Sequence, residues 1–586
     1  MEQGSKSSKI EIIRHSNAHI LAVAVRELFP GTKFGIGPII ENGFYYDFDF
    51  SNVILNRAKR GEESRRFSMG SFANAQDDII KITPEDLPKI EKKMRELIKK
   101  NIAFEKQKIS KEEAKKLFSA GGGSAFGEKD QPYKLELLDE LKEKEVTIYK
   151  SGDFIDLCRG PHVKSSKEIN SKAFKLTKIA GAYWRGDEKN QMLTRVYGVA
   201  FEIEKELKEY LELQKEIEKR DHRKIGKLLE LFTFSDEVGK GLPLWQPKGT
   251  IIREELEKWA KETERKEGYV HVITPHITKG NLYETSGHLP YYAEDMYAPF
   301  EVEGEKYYLR PMNCPHHHMI YKSKNRSWRD LPLRIAEYGN VYRYERSGVL
   351  YGLMRVRGFT QNDAHIYCTI EQAKKEFIKV MKMHEFYYKK LGIKNFYMEL
   401  ALRDPKDNKK YHGDKKMWQT AEHITKQAMK ESKIPYVEKI GGAAFYGPKI
   451  DFIIETVTVK EYAISTNQLD LYMAERFGLT FIDKDGKGKI PAIIHRAPLG
   501  SHERFIGFLI EHYAGAFPIW LSPVQIQIIP VTNRHNKYAD KIGKMFQASN
   551  LRLEVKDENE TVSKKIREGE LQKIPYMLVV GDKEEK

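Results

Sequence analysis

From 199 to 232 the chain reads VAFEIEKELKEYLELQKEIEKRDHRKIGKLLELF, a charged amphipathic stretch with the period of a helix. A helix so heavily charged reads as a connector between domains rather than as part of a core. It divides a chain of 586 residues, which is too long for one core and is expected to form roughly three or four domains. Before the connector, 1–198 combine a helix at 15–29, the aromatic strand NGFYYDFDF and strands around 145–163. Two segments there, 51–78 and SAGGGSAFGEKDQP, read as flexible loops; the first has neither a helical nor a strand period. A helix restarts at Thr83-Pro84-Glu85, where Thr caps and Pro suits the first turn. After the connector, 233–521 alternate strands and helices rich in Arg, His and aromatics, and 522–586 follow a βαβαβ order, an α/β pattern.

No run approaches the roughly 20 apolar residues needed to span a bilayer, so a membrane partner is not expected. The opening MEQGSKSSKIEII lacks the apolar core of a signal peptide. Only Cys158, Cys314 and Cys368 occur, which excludes a disulfide framework and points to a reducing cytoplasm. The formal net charge of +15 points to a polyanionic partner, nucleic acid by default, with a solvated basic surface as the plainer alternative.

Several residue patterns carry chemistry. In HSNAH, His15 and His19 stand four apart, on one helix face. That is the spacing of zinc proteases, yet the position of their general base holds Ser16. DLCRGPH adds Cys158 and His162, and four such side chains read most directly as tetrahedral zinc ligands. In EYGNVYRYE, Arg343 and Glu345 fall two apart on a short strand, 337–345, whose return is GFTQNDAHIY at 358–367. Alone, that pair is more often a surface ion pair. HRAPLGSHERFIGFLIEHY places Arg504 at a helix N-terminus, where backbone N–H groups favour a phosphate. Cys314, His365 and His495 make a Cys/His/His set suited to zinc, although MNCPHHH also reads as a buried structural cysteine among surface histidines.

Taken together, 240–521 resemble the catalytic core of the class II aminoacyl-tRNA synthetases, and specifically the threonyl-tRNA synthetases. GLPLWQPKGTIIREELEKW, with the strand ending at Pro275, resembles motif 1; RYE with RGFTQNDAH resembles motif 2; GSHERF resembles motif 3. LRPMNCPHH, AFYGPKID and HRAPLGS match strings specific to the family, and the likeness covers nearly the whole chain. It implies an α+β multidomain protein. Residues 1–198 are then an α+β editing domain with an insertion at 51–78, 199–232 a helical linker, 233–521 an antiparallel-sheet core, and 522–586 an α/β anticodon-binding domain lacking its last strand and helix. The resemblance also implies that the sequence starts without the ubiquitin-like domain that commonly precedes the editing domain in the family.

The resemblance further implies ATP-dependent ligation of L-threonine to tRNA(Thr) by a homodimer formed through motif 1, with Mg²⁺ accompanying the ATP. Carried over by residue, Arg343 holds the α-phosphate and the amino-acid carboxylate, Glu345 accepts from the adenine amino group, Phe359 stacks on adenine, and Arg355 and Arg504 clamp the outer phosphates. One Zn²⁺ per chain on Cys314, His365 and His495 binds the amine and hydroxyl of threonine, with Gln361, Asp363 and Tyr446 completing the pocket. The family run aromatic-Gln-x-x-Thr-x-Gln appears as Tyr462-Ala463-Ile464-Ser465-Thr466-Asn467-Gln468. Ala463 removes one contact near ATP, while Thr466 and Gln468 stand.

Valine lacks the hydroxyl and is refused at such a site, whereas serine lacks only a methyl group, worth roughly 1–3 kcal/mol. A second, hydrolytic site is therefore required. HxxxH with CxxxH resembles the editing domain shared by threonyl- and alanyl-tRNA synthetases, which implies that His15, His19, Cys158 and His162, with Lys134 and Asp156, hydrolyse Ser-tRNA(Thr) without a metal. Two other readings remain: a stand-alone hydrolase of mischarged tRNA, needing only 1–220, and a nonenzymatic synthetase paralogue that binds RNA. The intact Arg343, Arg504 and Cys/His/His set argue against both.

Overall fold

The structure is a computed structural model that describes residues 7–51, 53, 82–119, 131–407, 410–456 and 461–586. The insertion expected at 51–78 therefore lies, apart from Ser51 and Val53, outside the described residues, as do 120–130 of the second expected loop. Among the described residues no helix is long and apolar enough to cross a membrane. The chain forms two compact units, Met1–Lys215 and Glu216–Lys586.

In the first unit the opening helix spans Lys9–Leu28 and so begins six residues earlier than the expected 15–29. Ser8 and Glu11 explain the difference: they form a capping box that satisfies the first free N–H groups. Its buried residues run without a break from Ser16 to Val25, so the second half is enclosed by a core that includes Phe44, Phe48, Ile90 and Phe174. The sheet beneath has the order Lys33–Phe34, Gly43–Asp49, Met192–Ala200, Phe174–Tyr183, with Ile39–Ile40 also paired to Gly43–Asp49. A smaller antiparallel sheet joins Phe104–Ser110, Glu145–Ser151 and Phe154–Leu157. At Thr83 the restart is a 3₁₀ turn, Pro84–Asp86, leading into the helix Leu87–Lys99.

The expected continuous helix over 199–232 is corrected to two. Glu204–Arg220 and His222–Leu228 are separated at Asp221, whose side chain accepts from the Arg223 N–H at 2.8 Å and caps the second helix. Asp competes with helix continuation through such local bonds.

The second unit is built on an eight-stranded sheet. Its order is Val270–His271, Leu333–Tyr342, Gly358–Cys368, Ala492–Ala497, Glu461–Asp470, Lys449–Glu455, Phe396–Leu402, Tyr436–Ile440. All pairs are antiparallel except the outermost pair at each end. Helices Pro247–Lys266, Ile370–Lys390, Lys415–Ser432 and His502–Tyr513 contribute to its core, through Leu256, Phe377, Ala428 and Phe505 among others. The strand expected at 337–345 ends at Tyr342, so Arg343 and Glu345 stand beyond the ladder, not within it as expected. Toward the C-terminus, Ile526–Pro530 lies between Leu553–Val555 and Tyr576–Val580 in a parallel sheet, with helices Asn536–Gln547 and Val562–Leu571 between the strands in sequence, as the βαβαβ pattern requires.

Candidate functional site

One face of the central ladder carries seven of the expected residues. Phe359, Gln361, Asp363 and His365 alternate along Gly358–Cys368 and therefore point the same way. His365 lies opposite His495, His495 opposite Gln468, and Ala497 opposite Thr466, so the neighbouring strands extend the same face. A cleft of about 740 Å³ opens over it, lined by these side chains and by Cys314, Arg343, Glu345, Arg355, Tyr446 and Arg504. Cys314 is the first residue of the helix Cys314–Lys322.

The sulfur of Cys314 and one ring nitrogen each of His365 and His495 lie within 4.8 Å of one another. The other nitrogens are engaged. His365 Nδ1 meets His317 Nδ1 at 2.7 Å, and His317 Nε2 meets Glu337 Oε2 at 3.1 Å. His495 Nε2 meets Asp470 Oδ2 at 2.9 Å. With Nδ1–H of His365 donated, Nε2 is its free lone pair; with Nε2–H of His495 donated, Nδ1 is free. Burial holds the His365 imidazole well below its ordinary pKa, hence neutral and able to ligate. Burial, with Asp363 and Asp470 nearby, pushes the Cys314 thiol well up, so a thiolate there calls for an adjacent cation. Two imidazoles, each with one nitrogen held by a hydrogen bond and the other left as a lone pair, and one thiol fit zinc with an open fourth position.

Beside this trio, three guanidinium groups crowd together. Burial, then the charges of Arg343 and Arg355, hold Arg504 below its ordinary value, and burial does the same to Arg343. Such crowding favours a polyanion. Arg355 donates to Glu345 Oε2 at 2.8 Å, and the Arg343 guanidinium lies 5.2 Å over the Phe359 ring. Ser501 caps the helix His502–Tyr513, accepting from the Arg504 N–H at 3.3 Å. Thr466 Oγ1 is buried and has no partner among the described residues. Tyr446 donates its hydroxyl proton to Gln468 Oε1, Asn313 donates to Asp363 Oδ2 at 3.2 Å, and Ala463 lines the cleft without a polar group. Burial pushes the Asp363 carboxyl up.

Two cleft-associated residues were not anticipated. His317 supports His365; its position three after Cys314, on one helix face, was the available signal. His288 is buried at the cleft, its Nδ1 2.7 Å from Ser286 Oγ, with burial lowering its pKa to about 3. It stands in an irregular segment without periodicity to mark it.

In the first unit the second set also assembles. Donor atoms of His15, His19, Cys158 and His162 lie within 4.8 Å of one another. Cys158 Sγ is 3.4 Å from His15 Nε2 and 3.2 Å from His162 Nε2. Ser16 Oγ gives its one proton to Ile12 O and accepts from Val163 N–H, so His162, at 3.2 Å, must donate to it through Nδ1. His162 Nε2 is then an acceptor facing the Cys158 thiol, which burial pushes up to about 12. Ser16, where a zinc protease would carry its base, is thus a structural strut. Lys134 Nζ pairs with Asp156 Oδ1 at 2.5 Å, both buried, and Tyr46 donates to Asp156 Oδ2 at 2.7 Å. His19 Nε2 is 3.4 Å from Asp156 Oδ2, and its Nδ1 has no partner among the described residues.

Comparison with known proteins matches three domain families along the chain. The tRNA synthetase class II core domain (G, H, P, S and T) matches residues 297–513, the threonyl and alanyl tRNA synthetase second additional domain 146–197, and an anticodon binding domain 525–586. A threonine–tRNA ligase of Halalkalibacterium halodurans is 46% identical over 579 residues, 98% of this chain and 84% of its own. One from Dehalococcoides mccartyi is 45% identical over 584 residues, 100% and 93%. Among solved structures, the RNA binding domain of threonyl-tRNA synthetase from Cryptosporidium parvum superposes with a TM-score of 0.60 at 37% identity, covering 62% of this chain and 90% of that one. The chain belongs to the threonine–tRNA ligase family.

Proposed function

We propose that the chain activates L-threonine with ATP, transfers it to the 3′ end of tRNA(Thr), and hydrolyses Ser-tRNA(Thr) at a separate site. One observation carries the first part: the Cys/His/His trio and the three arginines open into a single cleft. Adenylate formation needs a carboxylate held in line with the α-phosphate and the phosphate charge neutralised, which is positioning and electrostatics rather than covalent help. Arg343 bridges the carboxylate and α-phosphate; Arg355 and Arg504 take the outer phosphates, with Mg²⁺ accompanying the nucleotide. Phe359 offers its ring to adenine and Glu345 accepts from the adenine amino group. The unpartnered Thr466 hydroxyl supports a polar ligand group on that side of the cleft.

Cys314, His365 and His495 would hold zinc, which would supply a Lewis-acid contact for the amine and hydroxyl of threonine. Gln361, Asp363, Tyr446 and Gln468 surround that contact and orient the substrate.

For editing, water attacks the ester carbonyl, the bond to the ribose oxygen breaks, and serine leaves. Lys134 stabilises the developing oxyanion, and the neutral histidines of the His15, His19, Cys158, His162 group, beside Asp156, orient the water. We read this group as metal-free on the likeness of 146–197 to the second additional domain of the threonyl and alanyl enzymes.

On this reading 1–198 edit, 199–232 connect, 233–521 catalyse and 522–586 bind the anticodon, in the cytoplasm. A homodimer through motif 1 is supported by Ile273, 95% exposed just beyond the short edge strand Val270–His271. An RNA-binding paralogue without activity is disfavoured, because it has no use for the assembled trio and arginines. The test is ATP–pyrophosphate exchange with a panel of amino acids, with zinc measured by elemental analysis. Threonine-dependent exchange with one zinc per chain is expected; no exchange, or exchange driven by another amino acid, overturns the reading.

A further inference from the structure

A third group of potential ligands, Asp221, His222 and Glu511, also has donor atoms within 4.8 Å of one another. Its hydrogen bonds exclude a metal. His222 Nε2 accepts from the Leu353 N–H at 3.1 Å, and Nδ1 donates to Glu511 Oε1 at 2.7 Å. The ring has no lone pair left. Asp221 is likewise engaged, accepting from the Arg223 guanidinium through both oxygens. What the group does instead follows from the segment that it holds.

Leu353 belongs to the turn 351–355 between the motif 2 strands, in which Tyr351 and Arg355 bond to each other through their backbones. The next residue, Met354, accepts from Arg504 Nε at 3.0 Å, and Arg355 follows it. Arg504 and Glu511 are seven apart on the helix His502–Tyr513, two turns along the same face. That one face therefore grips adjacent residues of the turn: Met354 directly through Arg504, and Leu353 through Glu511 and His222. His222 is wholly buried, and the Arg223 guanidinium lies 4.4 Å over the Tyr351 ring. Gly352, at φ +48°, permits the approach, since a Cβ there would stand 2.1 Å from His222 Nε2.

We propose that His222 is a positioning residue of the ATP clamp: with Glu511 it locks the 351–355 turn so that Arg355 and Arg504 face the phosphates together. It touches neither substrate. The inference rests on the reading of this cleft as an ATP and threonine site, and it makes the break at Asp221 functional, because that break delivers His222 to the turn.

Two substitutions separate the two bonds. In His222→Gln the side-chain oxygen reaches the place of Nε2 and still accepts from Leu353. In His222→Asn the amide sits at the place of Nδ1, keeping the bond to Glu511 but leaving the Leu353 N–H unpaired. Threonine-dependent ATP–pyrophosphate exchange is measured for both and for the unaltered chain, with thermal midpoints to verify folding. H222N is expected to raise the KM for ATP by about tenfold, the order of a lost buried hydrogen bond, with the KM for threonine little changed. H222Q should stay within about threefold of the unaltered chain on the same scale. Equal effects of the two substitutions, or equal rises in both KM values, would overturn the positioning role while leaving the functional reading intact. Absence of threonine-dependent exchange in the unaltered chain would overturn that reading and this inference with it.

Discussion

His365 and His317 meet ring to ring, Nδ1 to Nδ1 at 2.7 Å, and His317 passes the link on to Glu337, which also accepts from Thr274 and pairs with Arg310. The chain of bonds fixes which nitrogen His365 turns toward the Cys/His/His centre. Glu337, although burial opposes its charge, is drawn down to about 2 by His317, Arg310 and Thr274, so it remains ionised and anchors the series. Substituting His317 by Leu should weaken zinc affinity by about 10- to 100-fold, the usual cost of losing a partner of a metal ligand. Titration against a competing chelator measures it; an unchanged affinity would show that the His317 link does not orient His365.

The selectivity of the proposed threonine pocket divides two near-isosteres. Valine offers nothing to an open zinc position, and a site built for a hydroxyl rejects its absence by on the order of 10⁴-fold. Serine should be disfavoured by only about 10- to 200-fold, the worth of a methyl group. Relative kcat/KM values for the three amino acids in the exchange reaction check both figures. Valine within a hundredfold of threonine would contradict hydroxyl recognition.

Much of this was legible before the fold was known. The family resemblance named Phe359, Gln361, Asp363 and His365, which the structure sets along one strand face, and the i, i+4 spacing put His15 and His19 on one helix face, where their donor atoms do lie close together. Other features were not legible, each for a physical reason. Three successive histidines, 316 to 318, gave no way to tell which ring turns toward His365 until the helix Cys314–Lys322 was placed against the strand Gly358–Cys368. The break at Asp221 was hidden because the apolar period continues through it, and only the cap bond to Arg223 reveals the new helix. Nor did the spacing of Arg343 and Glu345 reveal that both stand past the strand end, with Glu345 paired instead to Arg355.

The buried Lys134–Asp156 pair stands at the edge of the second site, with Tyr46 bonded to both. Removing Lys134 alone would strand a buried carboxylate, at a cost of about 3–5 kcal/mol, so the informative variant is K134M with D156N. Hydrolysis of Ser-tRNA(Thr) should fall by about 10²-fold or more, the order for a lost oxyanion donor. Release of serine from preformed Ser-tRNA(Thr) measures it. A rate within threefold of the unaltered chain would remove Lys134 and Asp156 from the editing chemistry.

Zinc content distinguishes the two cysteine sites. Cys314→Ser should abolish the single zinc expected per chain, because a serine hydroxyl does not replace a thiolate as ligand. Cys158→Ser should leave that zinc in place. Two zincs in the unaltered chain, one lost with each substitution, would make the first unit a metal site as well.

Acid should loosen the editing unit. Burial holds the His15, His19 and His162 imidazoles below their ordinary pKa in the folded chain. In the unfolded chain the same groups take up protons near 6.5. Below that pH the unfolded state binds more protons, so stability rises with pH there and falls as the medium is acidified. Each lowered histidine contributes a slope of about 1 kcal/mol per pH unit until its folded form also protonates. The part of thermal unfolding that belongs to the first unit should therefore shift to lower temperature from pH 7 to pH 5. His162→Asn, which keeps a donor near Ser16 but cannot titrate, should flatten that dependence by about one third, since one of three groups is removed. Calorimetry at stepped pH measures both slopes. An identical slope in the variant would mean that His162 does not refuse the proton, and that other groups carry the acid sensitivity.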